Sequence, residues 1–281
     1  MAGLDLDSLR PFLRAALAED IGSGDRTTEL FVPEGARGTG RIVAKASGVL
    51  AGLAVALEVL RLEAQGDLRV TRQAHDGSCI EPGESVLEVE APARALLRAT
   101  RTALNFLMRL SGIATLTSRF VDAVAGTGAE ILDTRKTTPG LRLLEKYAVR
   151  AGGGRNHRFG LYDAILVKEN HLAFTPDAAR ALAARPPGVP VIVEAESLDE
   201  FRAACAAGAD VVLLDEFEPD EVRRARALRG DAPRPRIEVS GGITLANVRR
   251  YADAGAERIS VGALTHSAPA LDLSMRIDPV T

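Results

Sequence analysis

The sequence predicts an α/β protein in two parts, an N-terminal α+β domain followed by a parallel α/β barrel. Three observations lead there. From about residue 129, short and nearly all-apolar runs alternate with amphipathic stretches, as strands covered on both faces alternate with helices. Polar and ionisable residues gather just past the end of each run. The first hundred residues lack this rhythm and read as helices plus strands broken by Gly and Pro.

In the first part, Ser8–Ala18 and Gly52–Leu62 carry helical periodicity, while "GTGRIVAKASG", "DLRVTRQAHDG" and "ESVLEVEAP" read as strands. A long helix from about Ala93 to Ala125, with Gly112 as a point of interruption, leads onward. The strand candidates that follow are Glu130–Leu132, Ala164–Val167, Val191–Val193, Val211–Leu214, Ile237–Val239 and Ile259–Val261. Helix signals stand between them. Thr175-Pro176-Asp177 offers an N-cap, a proline at the first helical position and an acidic first turn. Ser197 with Glu200 makes a capping box, and Thr244 can cap a helix bearing Val248 and Tyr251 that Gly255 can end. Repeated units of this length imply a parallel sheet, and their number favours a barrel. The residues after His266 are too few for a domain and are expected to pack back on the rest. The expected division is 1–104, completed by 267–281, and a barrel over 105–266. There is no internal repeat and no low-complexity linker.

A chain of 281 residues with 46% hydrophobic and 26% charged residues reads as globular rather than disordered. A net charge of -3 leaves no electrostatic footprint for nucleic acid, so anion binding has to come from local clusters. Two cysteines, Cys79 and Cys205, exclude a disulfide framework and suggest a reducing compartment. "MAGLDLDSLR" has no apolar core of a signal peptide, and no apolar run approaches a membrane span, so a cytoplasmic protein is expected.

The residues just past the strands carry the chemistry. They are Asp133-Thr134-Arg135-Lys136-Thr137, Lys168-Glu169-Asn170-His171, Glu194-Ala195-Glu196, Asp215-Glu216, Ser240-Gly241-Gly242 and Gly262-Ala263. Active sites of such barrels are built at the carboxyl ends of the strands, and late-strand glycine loops let backbone N–H groups approach a phosphate. Arg135, Lys136, His157 and Arg158, the last two after "GGGRN", supply cations; arginine forks match carboxylates, and lysine is a mobile point charge. Arg142, Lys146 and Arg150 recur every four residues opposite Leu141, Leu144 and Ala148 and read instead as a solvated helix face. His171 and His266 fit either ligands or capped core histidines. No Cys/His cluster has zinc spacing, whereas Glu194 and Asp215 can share a hard cation such as Mg²⁺ with substrate phosphates. The pattern suits a substrate set with several negative charges bound in two places.

The blocks "DTRKTTPGLRLLEKYAVRAGGGRNHRFGLYDAILVKENH", "VEAES", "LLDEF", "EVSGGIT" and "SVGALTHS", with "EDIGSGDRTTE" and "RTALNFLMRLSGIAT" before them, resemble the carboxylating nicotinate-nucleotide pyrophosphorylases, or quinolinate phosphoribosyltransferases. The resemblance spans nearly the whole chain in the right order. It implies an N-terminal open α/β sandwich followed by an incomplete TIM-like α/β barrel. It implies transfer of phosphoribosyl from phosphoribosyl pyrophosphate to quinolinate with decarboxylation, with Mg²⁺ as cofactor. By motif, Arg135, Lys136, Thr137, His157, Arg158 and Lys168 would surround the quinolinate carboxylates and the reacting end of the donor. Glu194 and Asp215 would hold the ribose hydroxyls and Mg²⁺, largely through substrate and water. Ser240, Gly241, Gly242, Gly262 and His266 would bind the 5′-phosphate, and Lys136, Lys168, Glu194 and Asp215 would be the catalytic set. Arg101, in "RTALNF", would reach a neighbouring subunit's site, which implies a homodimer; the charge and the lack of a long apolar run lead to the expectation of no nucleic-acid and no membrane partner.

Three other readings fit parts of the sequence. A paralogue of molybdenum transport operons shares the scaffold, but as a group lacks a lysine at the position of Lys168. An aldolase-type barrel could form a Schiff base at Lys168, which would leave Arg135, His157 and Arg158 without work. A non-catalytic anion-binding protein would show no turnover.

Overall fold

A computed structural model of the chain describes residues 4–175 and 178–280. The chain divides into two compact units. One holds the residues up to Leu116 together with Arg150–Gly153 and those from Ala268 onward; the other holds Thr117–Val149 and Gly154–Ser267.

The first unit opens with α1 (Leu6–Ile21), where the Asp5 carboxylate accepts the backbone N–H groups of Asp7 and Ser8, and α2 (Arg26–Phe31), capped likewise by Asp25. There follow β1 (Arg37–Ala44), β2 (Gly48–Val49), α3 (Leu53–Glu63), β3 (Arg69–Gln73), β4 (Cys79–Ile80), β5 (Ser85–Pro92) and α4 (Ala93–Ala123). The last strand of the chain, β12 (Leu273–Pro279), returns to pair antiparallel with β1, giving a sheet of order β12-β1-β5-β3. The tail therefore packs back as an edge strand. Alternation along β1 puts Ile42 and Ala44 inside and Arg41 outside, the period-two pattern of a half-covered sheet.

The long helix is not interrupted at Gly112. It runs unbroken through that residue because glycine there serves packing: a Cβ would stand 2.0 Å from the carbonyl oxygen of Pro269. Four residues upstream, the Met108 carbonyl accepts the N–H of Leu271. The boundary between the units falls at Leu116, within α4, because one continuous helix supplies both.

The second unit continues with β6 (Glu130–Leu132), α5 (Arg142–Ala151), β7 (Ile165–Val167), α6 (Glu169–Leu172), α7 (Ala178–Ala183), β8 (Val191–Ala195), α8 (Leu198–Ala206) and β9 (Val211–Asp215). It closes with α9 (Pro219–Arg229), β10 (Arg236–Ser240), α10 (Val248–Asp253), β11 (Arg258–Ser260) and α11 (Ala263–His266). All six strand candidates are strands, each within two residues of the expected ends. They form one parallel sheet in the order β6-β11-β10-β9-β8-β7. Six strands with edges at β6 and β7 make an open barrel rather than the closed eight-stranded one. The Ser197 hydroxyl accepts the Glu200 N–H, one half of the expected capping box, while the Glu200 side chain accepts the Glu196 N–H in place of that of Ser197; Thr244 does not cap α10. Asn247 occupies that place, its side-chain oxygen accepting the Thr244 N–H. The signal at Thr175-Pro176-Asp177 falls partly on 176–177, outside the described residues. Among the described residues, no helix is long and apolar enough to cross a membrane.

The barrel interior is not wholly apolar. Glu238 on β10 is fully buried, bonded to Arg258 Nε at 2.7 Å and to the Ser260 hydroxyl, with His157 Nε2 at 3.4 Å. Burial alone would push its carboxyl up, but His157, Arg258 and Ser260 outweigh that and hold it at about 2. The folded value lies below the unfolded one, so this stabilisation is complete above about pH 4.5 and is lost as pH falls toward 2. The gap is worth about 3 kcal/mol at neutral pH. Denaturant melts of wild type and Glu238→Gln across pH 7 to 3 should show a steeper acid decline in wild type; parallel curves would refute this role.

Candidate active site

A cavity of about 580 Å³ opens at the carboxyl ends of the barrel strands. Arg135 and Lys136 enter it from the end of β6, His157 and Arg158 from the segment before β7, and Lys168 from the end of β7. Glu194 on β8, Asp215 on β9, Ser240 at the end of β10 with Gly241-Gly242 beyond it, and Gly262 and His266 after β11 complete the expected set. Thr137 is the exception. Its hydroxyl accepts Arg142 Nε at 3.0 Å, and Thr134 lines the cavity in its place. Ser260, Leu166 and Leu213 also line it beyond the expected set; Ser260 falls in the middle of the expected strand Ile259–Val261, whereas β11 ends at that residue and turns it to the cavity. Arg101 sits exposed on α4 in the first unit and is not among the lining residues.

Each segment is held by local bonding. Arg155 pairs with the free edge of β6, its N–H donating to Ile131 and its carbonyl accepting from Asp133, which carries His157 and Arg158 toward the rim. Arg158 donates to the Ala164 carbonyl at 3.2 Å, and the Asp163 carboxylate accepts the N–H groups of Phe159 and Gly160. His157 Nδ1 accepts the Arg158 N–H at 2.8 Å, while Nε2 faces Glu238; the ring lines the cavity with both nitrogens turned to protein groups. His171 Nδ1 accepts the Lys168 N–H at 3.0 Å, a cap rather than a ligand.

The glycines are needed where they stand. Gly241 has φ +94°, and a Cβ there would meet the Glu216 backbone N at 3.0 Å. Glu216 itself holds the left-handed conformation at φ 56° and donates its N–H to the Ser240 carbonyl, so the turn after Asp215 is tied to the glycine loop. A side chain at Gly262 would meet Lys136 at 3.1 Å and His266 Nε2 at 3.2 Å.

Charge is balanced tightly. Lys168 Nζ donates to Glu194 at 2.6 Å. Burial pushes the Glu194 carboxyl up, Lys168 opposes, and the nearby charge of Asp215 pushes the same way as burial, leaving it raised. Burial and the charge of Arg135 both push the Arg158 guanidinium down. Two carboxylates that repel fit a divalent cation, which takes hard oxygen ligands and would relieve the repulsion. Glu169 and Glu196 bring further carboxylate oxygens to Glu194, all within 4.8 Å of one another.

The expected solvated face of Arg142, Lys146 and Arg150 is a correction. Lys146 has no exposure at all; it is paired with Asp133, also fully buried, and its ammonium lies 5.1 Å from the centre of the Phe159 ring. Arg142 donates to Thr137 and to the Phe159 carbonyl. The four-residue spacing placed these cations on one face correctly, but that face looks inward onto a carboxylate contributed from 13 residues upstream of Lys146.

An open parallel barrel that gathers guanidinium groups, an ion-paired lysine, two carboxylates and a glycine backbone at its strand ends suits an anionic, phosphate-bearing ligand set. Family models agree, "quinolinate phosphoribosyl transferase, C-terminal domain" matching residues 113–276 and the corresponding N-terminal domain matching 25–111. The chain belongs to the quinolinate phosphoribosyltransferase family. It is 44% identical to nicotinate-nucleotide pyrophosphorylase [carboxylating] of Mycobacterium leprae over 98% of this chain and 99% of that protein. Among solved structures, NadC from Streptococcus pyogenes superposes with a TM-score of 0.94 at 40% identity, covering 100% of both chains. The nicotinate-nucleotide pyrophosphorylase of Francisella tularensis follows with a TM-score of 0.92 at 36% identity over 98% of both chains.

Proposed function

We propose that this chain joins quinolinate to the anomeric carbon of phosphoribosyl pyrophosphate, releasing pyrophosphate and CO₂ to give nicotinate mononucleotide. The observation that carries the reading is the convergence of Arg135, Arg158 and Lys168 on one cavity that is also lined by the Ser240–Gly242 and Gly262 backbone. Guanidinium forks pair with carboxylates, exposed backbone N–H groups suit a 5′-phosphate, and Leu166 and Leu213 offer an apolar wall to an aromatic ring. His157 adds its ring to the wall beside the two arginines, and His266 stands with Gly262 on the phosphate side.

The residues divide the chemistry between them. Arg135, Arg158 and Lys168 hold the diacid so that its ring nitrogen faces the anomeric carbon, which converts a bimolecular encounter into a positioned one. The new carbon–nitrogen bond forms as the bond from that carbon to pyrophosphate breaks, and Lys136 stabilises the charge that leaves. Glu194 and Asp215 hold the ribose hydroxyls and, largely through substrate and water, Mg²⁺; when bound, the cation neutralises pyrophosphate charge. The ring nitrogen is then quaternary and draws electrons from the adjacent carboxylate bond. CO₂ departs, and the carbon left behind takes up a proton. No proton has to move in the transfer step, so positioning and electrostatics dominate over acid–base work.

The aldolase reading fits less well, because Lys168 is ion-paired with Glu194 at 2.6 Å rather than presented as a free amine. Incubation with quinolinate, phosphoribosyl pyrophosphate and Mg²⁺ tests the function: CO₂ and the mononucleotide should appear in equal amounts, and absence of either would refute it. Free Cys79 and Cys205 suit a reducing cytoplasm.

The working unit in this reading is a homodimer in which Arg101 completes the neighbouring subunit's site. Its exposure on α4 supports that role. Mixing Arg101→Ala chains with Lys168→Ala chains should restore up to about a quarter of wild-type activity, since random exchange yields half mixed dimers with one intact site each. No recovery despite proven subunit exchange would contradict a shared site.

A further inference from the structure

Arg135 and Arg158 pose a problem before any substrate arrives. Each repels the other, and burial together with the charge of Arg135 already pushes the Arg158 guanidinium down. Keeping two like charges close costs energy, and a fixed backbone under each limits how far they can draw apart. They come from different segments, Arg135 from the end of β6 and Arg158 from the stretch that follows Arg155.

One buried cluster joins those segments. The Asp133 carboxylate, two residues before Arg135, accepts from Lys146 Nζ, from Asn156 Nδ2 and from the His157 N–H at 2.9 Å. Lys146 Nζ also donates to the His157 carbonyl at 3.0 Å, and Asn156 Nδ2 to the Lys146 carbonyl at 2.8 Å. The ion pair thus grips both backbone polar groups of the residue that immediately precedes Arg158. The two peptide units on either side of His157 are thereby fixed, one at its donor and the other at its acceptor.

Energetics argues that this pair is kept for placement rather than for stability. Both side chains are fully buried, and burial pushes Asp133 up and Lys146 down, each toward its neutral form, against the pull of the partner. A buried ion pair seldom outperforms apolar side chains of the same volume, because desolvation consumes the Coulombic gain. A pair that adds little to stability and yet takes up both backbone groups before a ligand-binding arginine has its use in geometry. We infer that Asp133, Lys146 and Asn156 are positioning residues for the diacid site: they touch no substrate, and they set the spacing of Arg135 and Arg158.

This inference rests on the function proposed above and is tested apart from it. The double variant Asp133→Leu/Lys146→Met removes both charges without stranding one, and Asn156→Ala leaves the ion pair but frees the segment. Calorimetry would measure quinolinate and phosphoribosyl pyrophosphate separately on each folded protein, beside a thermal melt. Both variants should keep the wild-type melting midpoint within about 5 °C and donor affinity within about twofold, and bind quinolinate about tenfold or more weakly, the scale of loss that a displaced clamp produces. If the double variant does not fold, Asn156→Ala alone decides. Unchanged quinolinate affinity, or an equal loss for both ligands, overturns the positioning role. Wild-type protein that binds no quinolinate overturns the proposed function as well, so the two failures are told apart.

Discussion

Arg135→Ala should weaken quinolinate binding by roughly 30–150-fold while leaving phosphoribosyl pyrophosphate bound. Arg135 lines the cavity beside Arg158, and a guanidinium fork paired with a carboxylate is among the stronger hydrogen-bonded contacts available. Losing it costs about 2–3 kcal/mol, roughly 30–150-fold in affinity, because the carboxylate keeps its desolvation penalty without its partner. Lysine should not rescue the variant, since a point charge cannot reproduce the planar fork. Removing Arg135 also relieves Arg158 of a repelling neighbour, so the Arg158 guanidinium should sit less far below its ordinary range. Isothermal titration of each ligand separates the outcomes, and unchanged quinolinate affinity would contradict the clamp.

The second large effect falls on the other ligand. Asp215→Ala should weaken phosphoribosyl pyrophosphate by about 2–3 kcal/mol and blunt the Mg²⁺ dependence of its binding, while quinolinate changes little. Asp215 ends β9 near Glu194, which already pairs with Lys168, whereas Asp215 has no lysine partner among the described residues. Its charge is also one cause of the raised Glu194 carboxyl, which should therefore fall toward its ordinary value in the variant. Equal losses for both ligands would contradict the division of labour.

The legible parts of this molecule were those that local physics decides. A parallel strand covered on both faces has to be apolar, so β6 to β11 stood out by composition alone, and the rule that barrel sites lie at strand ends then pointed to Arg135, Lys168, Glu194 and Asp215. What stayed hidden depends on partners distant in sequence. Helical spacing put Lys146 on one face with Arg142 and Arg150, but only the fold shows that this face meets Asp133. Gly112 reads as a helix breaker until the Pro269 carbonyl is placed against it. Thr244 is a good cap by residue type, yet α10 starts after Asn247, whose side chain turns back to accept the Thr244 N–H. Glu238 carried no signal at all, since a carboxylate in an apolar strand is explained only by Arg258, Ser260 and His157 around it. Arg101 was named by its motif alone, because an exposed arginine on a helix has no local feature that marks it.

The central claim is that neighbouring cations at the barrel mouth recognise two carboxylates on one aromatic ring. Competitive calorimetry of pyridine-2,3-dicarboxylate against pyridine-3-carboxylate on the wild-type protein tests it most directly, because the two ligands differ by a single carboxylate. The diacid should bind about 30-fold or more tightly, the value of one additional charge-assisted pair. Equal affinities would contradict the account.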